Sequence, residues 1–210
     1  MFRSEENHSP SGEDTVEAMR PFGEPPHRPE PPADAGMAPW LQERLFAQRI
    51  VAIRGSVTAA SASDTASMLL TLDAVGADPV QLHLGAHDGD LHAVFAVIDA
   101  IDTMRSPVHA LVTGEVGGGA VGILAAAKQR TAHPHARVRL SEPALHGHAG
   151  TAGEMAAVAG RHLQALEDLA NRIADACGQK LSRVESDLSR GITLSAAEAK
   201  DYGLIHSIIS

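Results

Sequence analysis

The chain has 210 residues, 44% of them hydrophobic, and a formal net charge of −9. That is enough apolar material for one buried core in a soluble domain, while the acidic balance argues against a nucleic-acid or anionic-membrane surface and the 3% aromatic content against base-stacking platforms. The single cysteine, Cys177, excludes an internal disulfide, leaves no CxxC pair for zinc and fits a reducing cytoplasm.

Eight of the 12 prolines fall before residue 40, among Glu, Ser and Gly with few apolar side chains. Such a segment cannot offset its conformational entropy by burial, so residues 1–38 are expected to be a disordered tail and residues 39–210 the folded domain. The MFRSEENHSPSGED start lacks an apolar signal core, and no run of about 18 apolar residues follows to span a bilayer. From Trp40 the pattern becomes regular. LQERLFAQ reads as a short helix and RIVAIRG as a strand ending at Gly55. Ala60 to Val75 has helical spacing of Ala62, Ala66, Leu69, Leu70 and Leu72, and Pro79 to Leu84 reads as the next strand.

GAHDGD, residues 85–90, is expected to be a loop, and residues 91–104 a helix with Val94, Val97, Ile98 and Ile101 on one face. VHALVTG and RVRLSE supply strands on either side of a glycine run, Gly117 to Gly119, that leads into a small-residue helix. A strand, a glycine turn and a helix in that order make a cradle of backbone N–H groups able to bind or polarise an oxygen. Ala152 to Cys177 forms a long helix with Met155, Val158, His162, Leu166, Leu169 and Ile173 along one stripe, stopped by Gly178. Ser195 and Glu198 make a capping box, and Gly203 ends that last helix before a closing apolar segment, Leu204 to Ile209. Helices alternating with strands in this way imply an α/β protein with a parallel sheet.

The order of GAHDGD, GEVGGGAVGILAAA, RVRLSEP, the long helix and the ending LSAAEAKDYGLIHSII resembles the proteolytic subunit of the ATP-dependent Clp protease, ClpP, from about Leu41 to Ser210. The resemblance implies the ClpP/crotonase fold, stacked ββα repeats with a long handle helix. It also implies assembly into heptameric rings that stack through that handle and dock a hexameric AAA+ unfoldase. In the family a serine nucleophile sits in a motif like GQAASAGA, and the matching stretch here is GEVGGGAV, which puts Gly118 at the serine position. The family histidine in RVMIHQP is matched by Ser141 in RVRLSEP, and the family aspartate in ERDTDRD by Gly191. The oxyanion loop NSPGGS reads GAHDGD, so the oxyanion-loop equivalents are Asp88, Gly89 and Gly119, with an aspartate where the first loop glycine belongs. A hydroxyl needs an imidazole to take its proton, and the imidazole needs a carboxylate; glycine supplies neither oxygen nor nitrogen. An aspartate in that loop also opposes charge developing on a carbonyl oxygen. The expectation is a non-catalytic, structural or regulatory subunit in homo- or hetero-oligomeric Clp rings, located in the cytoplasm, without cofactor. Arg190 matches a family arginine that makes ring contacts.

Two alternatives stand beside it: an active hydrolase with relocated residues, such as Ser141 with His146 or His148, and a crotonase-like acyl-thioester binder. Among 12 histidines, His133 and His135, or His146 and His148, would put both imidazoles on one strand face, with Glu142 or Glu154 near in sequence. No third ligand stands at a recognisable spacing, so no metal site is expected. His87 and Asp88, adjacent in sequence, point apart and are read as a solvated loop. Asp64, Glu167 and Asp168 read as solvated helix faces. Cys177 has no helix N-terminus or basic neighbour to activate it and reads as packing.

Overall fold

The computed structural model describes residues 38–145 and 150–209. Apart from Ala38, the tail expected over residues 1–38 lies outside the described residues, as do His146 and His148. The first helix, α1 (Pro39–Ala47), starts on a proline, whose missing N–H costs nothing there. After it come β1 (Ile50–Val57), α2 (Ala59–Val75), β2 (Val80–Gly89) and α3 (Leu91–Thr103). Thr58 and Ser61 cap α2 reciprocally, and Asp90 caps α3 by accepting the Ala93 N–H. The expected GAHDGD loop is mostly strand: β2 runs on to Gly89 because Gly55, Ser56 and Val57 of β1 continue to pair with it across a register shift. Leu70, expected on the buried face of α2, is exposed there.

Next come β3 (Val108–Val112), β4 (Glu115–Gly117), α4 (Ala120–Ala126), β5 (Gln129–Ala132), β6 (Arg137–Leu140) and the long helix α5 (Ala152–Cys177). β1, β2, β3, β5 and the short last strand β8 (Ser207–Ile208) lie side by side, all parallel, in a five-stranded sheet. β4 and β6 pair in parallel in a second sheet, completed by antiparallel β7 (Ile192–Ser195). Two successive repeats, β3-β4-α4 and β5-β6-α5, each contribute one strand to the large sheet, one to the small sheet and then a helix, whereas β1-α2 and β2-α3 contribute to the large sheet alone. The stacked ββα arrangement comes from this alternation. Leu82, Leu84, Val94, Val112, Ile123, Leu124 and Leu140, all essentially without exposure, fill the space between sheets and helices. Each such side chain contributes about 1.5–3 kcal/mol.

Two more helices close the chain, α6 (Leu181–Arg190) and α7 (Ala196–Tyr202). The expected capping box of Ser195 with Glu198 forms at the start of α7, and Thr151 with Glu154 makes another at the start of α5. Gly178, Gly191 and Gly203 take the left-handed conformation that ends α5, α6 and α7. The carbonyl ends of α4, α5 and α7 converge on one buried cation. Arg130 donates from Nε to Leu204 O (2.9 Å), from Nη1 to Ala127 O (3.3 Å), and from Nη2 to Ala176 O (2.8 Å) and Gly203 O (3.2 Å). A guanidinium suits this place because its fork of donors meets acceptors that already carry the negative ends of helix dipoles. Among the described residues no helix is long and apolar enough to cross a membrane.

Candidate active site

Strand register brings together the three positions that the resemblance matches to a triad. In the parallel β4/β6 pair Gly117 stands opposite Arg139, so Gly118, one residue on, lies level with Leu140. In the antiparallel β6/β7 pair Leu140 stands opposite Ile192, which sets Ser141 across from Gly191. Gly118, Ser141 and Gly191 therefore meet at one end of the small sheet. Ser141 is half-buried, and its hydroxyl has neither imidazole nor carboxylate as a hydrogen-bond partner among the described residues.

The end of β2 closes over the glycine run. A Cβ on Gly117 would stand 2.7 Å from His87 O, so no side chain fits where these backbones meet. Gly119 approaches Gly89 O to 3.1 Å by the same measure and leads into α4. Gly118 has φ +53, and a Cβ there would lie 2.6 Å from Asp88 Oδ1. The same Oδ1 accepts the Gly89 N–H at 2.8 Å. The Asp88 carboxylate thus occupies the space that a side chain at position 118 would need, and it is held there by the Gly89 backbone N–H. Beside it opens a cleft of about 480 Å³ bordered by Ser56, Thr58, His87, Asp88 and Ala144. The sequence reading does not anticipate Ser56 here; its signal is the register, which pairs it with Asp88 across β1 and β2. Thr58 is already committed to capping α2, and no hydrogen bond joins Ser56, His87 and Asp88 side chains.

Gly191, which the resemblance matches to the family aspartate, serves as the left-handed stop of α6, its N–H donating to Asp187 O and Leu188 O. Arg190 pairs with Asp187 of its own helix. Asp187 is buried and also accepts the Tyr202 hydroxyl at 2.9 Å, while Arg183 stacks over the Tyr202 ring at 4.9 Å. Burial first, and then the Asp187 carboxylate, push the Tyr202 hydroxyl well above its ordinary range.

The remaining candidates are distributed as follows. His133 and His135 lie at a turn between β5 and β6 and not on a strand, which removes the geometry that put both imidazoles on one face. Among the described residues no three His, Cys, Asp or Glu side chains gather to hold a metal ion. Asp64, Glu167 and Asp168 are exposed. Cys177 does have a basic neighbour, Arg130, contrary to the sequence reading, yet burial outweighs that charge and pushes the thiol up to about 11. A thiol raised so far by burial is poorly suited to act as a nucleophile.

Comparison with known proteins points to one family. The family model described as Clp protease matches residues 36–210. The ATP-dependent Clp protease proteolytic subunit 1 of Thermobifida fusca (strain YX) is 25% identical over 169 residues, covering 79% of this chain and 76% of that protein. Proteolytic subunit 3 from Parasynechococcus marenigrum (strain WH8102) is 30% identical over 174 residues, 81% of this chain and 86% of the relative. Proteolytic subunit 1 from Bacillus cereus (strain ATCC 10987 / NRS 248) is 31% identical over 172 residues, 80% of this chain and 89% of the relative.

Proposed function

The chain belongs to the Clp protease family, and from that premise we propose that it is a proteolytic-subunit homologue without peptidase activity of its own, a structural or regulatory member of a Clp ring. The observation that carries the reading is the Asp88 carboxylate, 2.6 Å from where a Cβ on Gly118 would stand. Peptide hydrolysis by this fold requires an attacking hydroxyl, a base to deprotonate it and N–H donors aimed at the developing oxyanion. Here the hydroxyl position is glycine, and a negative charge sits beside the N–H groups that should receive one. Residues 39–210 form the subunit and residues 1–38 an appended tail. The long α5 helix serves as the handle between stacked rings, and an AAA+ unfoldase docks on the ring in the cytoplasm. Arg190, held by Asp187 within its own helix, still exposes 66% of its side chain and reaches a ring neighbour from that pairing.

The test is a pair of measurements on the purified full chain. Incubation with a fluorophosphonate probe leaves every serine unlabelled, and sizing chromatography, alone and with an active Clp proteolytic subunit, yields ring-sized species. A monomer under both conditions overturns the assembly half. The convergence of Ser56, His87 and Asp88 on one cleft favours a second reading, a relocated hydrolase, and labelling at Ser56 or Ser141 would establish it in place of the first.

A further inference from the structure

Between α5 and α6 lies an apolar groove of about 270 Å³, built on Leu163, Leu166 and Leu188 and rimmed by Glu142, Glu167 and Glu185. Leu163 is 65% exposed, unusual for a leucine on a helix whose later turns are buried. The three glutamates come from three different segments, the stretch after β6, the middle of α5 and α6, so their convergence belongs to the fold and not to a local charge run. No Lys, Arg or His lines the groove, and none of the ion pairs among the described residues involves any of the three carboxylates. Of the arginines on α5 and α6, Arg172 pairs with Asp102, and Arg183 and Arg190 pair with Asp187.

We propose that this groove is a docking surface for a different subunit, one presenting an apolar helix face flanked by Lys or Arg, and that it disfavours a second copy of this chain. Apolar floor and uniformly acidic rim together fix the chemistry of the occupant. Leucines on the incoming helix fill the floor, and its cations meet the glutamates. A two-fold self-contact uses the same patch on both partners, so every rim charge would meet a like charge whichever residues were opposed. Like-charge juxtaposition of this kind acts against the wrong partner more than it rewards the right one. The inference rests on the ring reading given above and narrows it: where α5 meets another handle, that handle belongs to a chain of opposite charge pattern.

The experiment uses this chain as its own reagent. The rim variant Glu142→Lys/Glu167→Lys/Glu185→Lys, in which all three positions are exposed, serves as the basic partner. Sedimentation velocity is run on wild type, on the variant and on their mixture at low and at high salt. The mixture is expected to give a paired species at least about tenfold tighter than either protein alone at low salt, weakening as salt rises. Leu163→Asp in the wild-type partner abolishes that species. A neutral variant, Glu142→Gln/Glu167→Gln/Glu185→Gln, self-associates more tightly than wild type. Self-association of wild type as strong as that of the mixture, or no added association on mixing, overturns the proposal. Ring-sized species are scored separately in each sample: their presence without the paired species overturns this inference and leaves the ring reading standing, and their absence overturns the ring reading.

Discussion

Replacing Gly118 by serine puts a side chain into space that the Asp88 carboxylate already holds, with 2.6 Å between Oδ1 and the new Cβ. Two costs follow. At φ +53 an L-residue is about 1–2 kcal/mol less stable than glycine. The carboxylate must also swing away from the Gly89 N–H, giving up a charge-assisted hydrogen bond of 2.8 Å worth about 1.5–3 kcal/mol. Gly118→Ser is therefore expected to destabilise by about 2.5–5 kcal/mol. Asp88→Gly gives up the same hydrogen bond and adds about 0.5–1 kcal/mol for a glycine in a strand. Because the bond is lost only once in the double variant, its cost falls short of the sum of the singles by about 1.5–3 kcal/mol. Guanidinium unfolding of the four proteins, at a common m-value, measures this coupling. Additivity within about 0.5 kcal/mol would refute the claim that the carboxylate fills the nucleophile's place.

Rebuilding the triad extends the same logic to activity: Gly118→Ser/Ser141→His/Gly191→Asp should hydrolyse a fluorogenic peptide at least about 10²-fold faster when Asp88→Gly is added, and equal rates would count against Asp88 as the obstruction. Arg130→Met leaves four carbonyls at three helix ends without their donor, which should cost about 3–5 kcal/mol and lower the Tm by about 10 °C, with Arg130→Lys in between. His206 Nδ1 accepts the Arg130 backbone N–H at 3.1 Å, and burial, then the Arg130 charge, holds its pKa below the ordinary histidine value. A group whose folded pKa is depressed stabilises the fold above its unfolded pKa of about 6.5 and loses that contribution on acidification. Denaturant midpoints at pH 7.5 and 5.5 should accordingly fall more for wild type than for His206→Asn, which keeps an acceptor and does not titrate. Tyr202→Phe removes the hydroxyl donor from buried Asp187 and should cost about 1.5–3 kcal/mol in the same assay, with no gain of peptidase activity.

Much of the fold was legible because it is written locally. α5 runs from Ala152 to Cys177 as its stripe and Gly178 indicate, and Ser195 with Glu198 forms the box that their spacing announces. What stayed hidden depends on partners distant in sequence. GAHDGD has loop composition, yet it is strand because β1 offers it backbone groups as far as Val57. β4 is three residues long and contains Gly117, so no periodicity marks it; it exists because β6 pairs with it. α6 escaped notice because LSRVESDLSR carries only Val184 and Leu188 as buried apolar residues, and the third inward residue is Asp187, whose charge is satisfied by Arg190 and Tyr202. At the candidate site, the motif resemblance points to Gly118, Ser141 and Gly191, and strand register places those three positions at one end of the small sheet. That Asp88 reaches into the Gly118 position could not be read from the motifs, since 30 residues separate them in sequence and only the closure of β2 over β4 joins them.

If the ring reading proposed above holds, α5 also sets how the single subunit behaves before assembly. Of the 26 residues of α5, only Leu169, Ala170, Ile173 and Ala174 are buried, so the first ten residues are held by the Thr151 and Glu154 box and little else. Helical segments of that length are marginal in water without a packed face. Backbone amides from Met155 to Leu163 therefore open readily in the lone subunit and exchange with deuterium far sooner than those from Leu169 to Ala174. Once a neighbour covers that stretch the two halves exchange alike, which makes the ratio of their rates along one helix a reporter of assembly that needs no label.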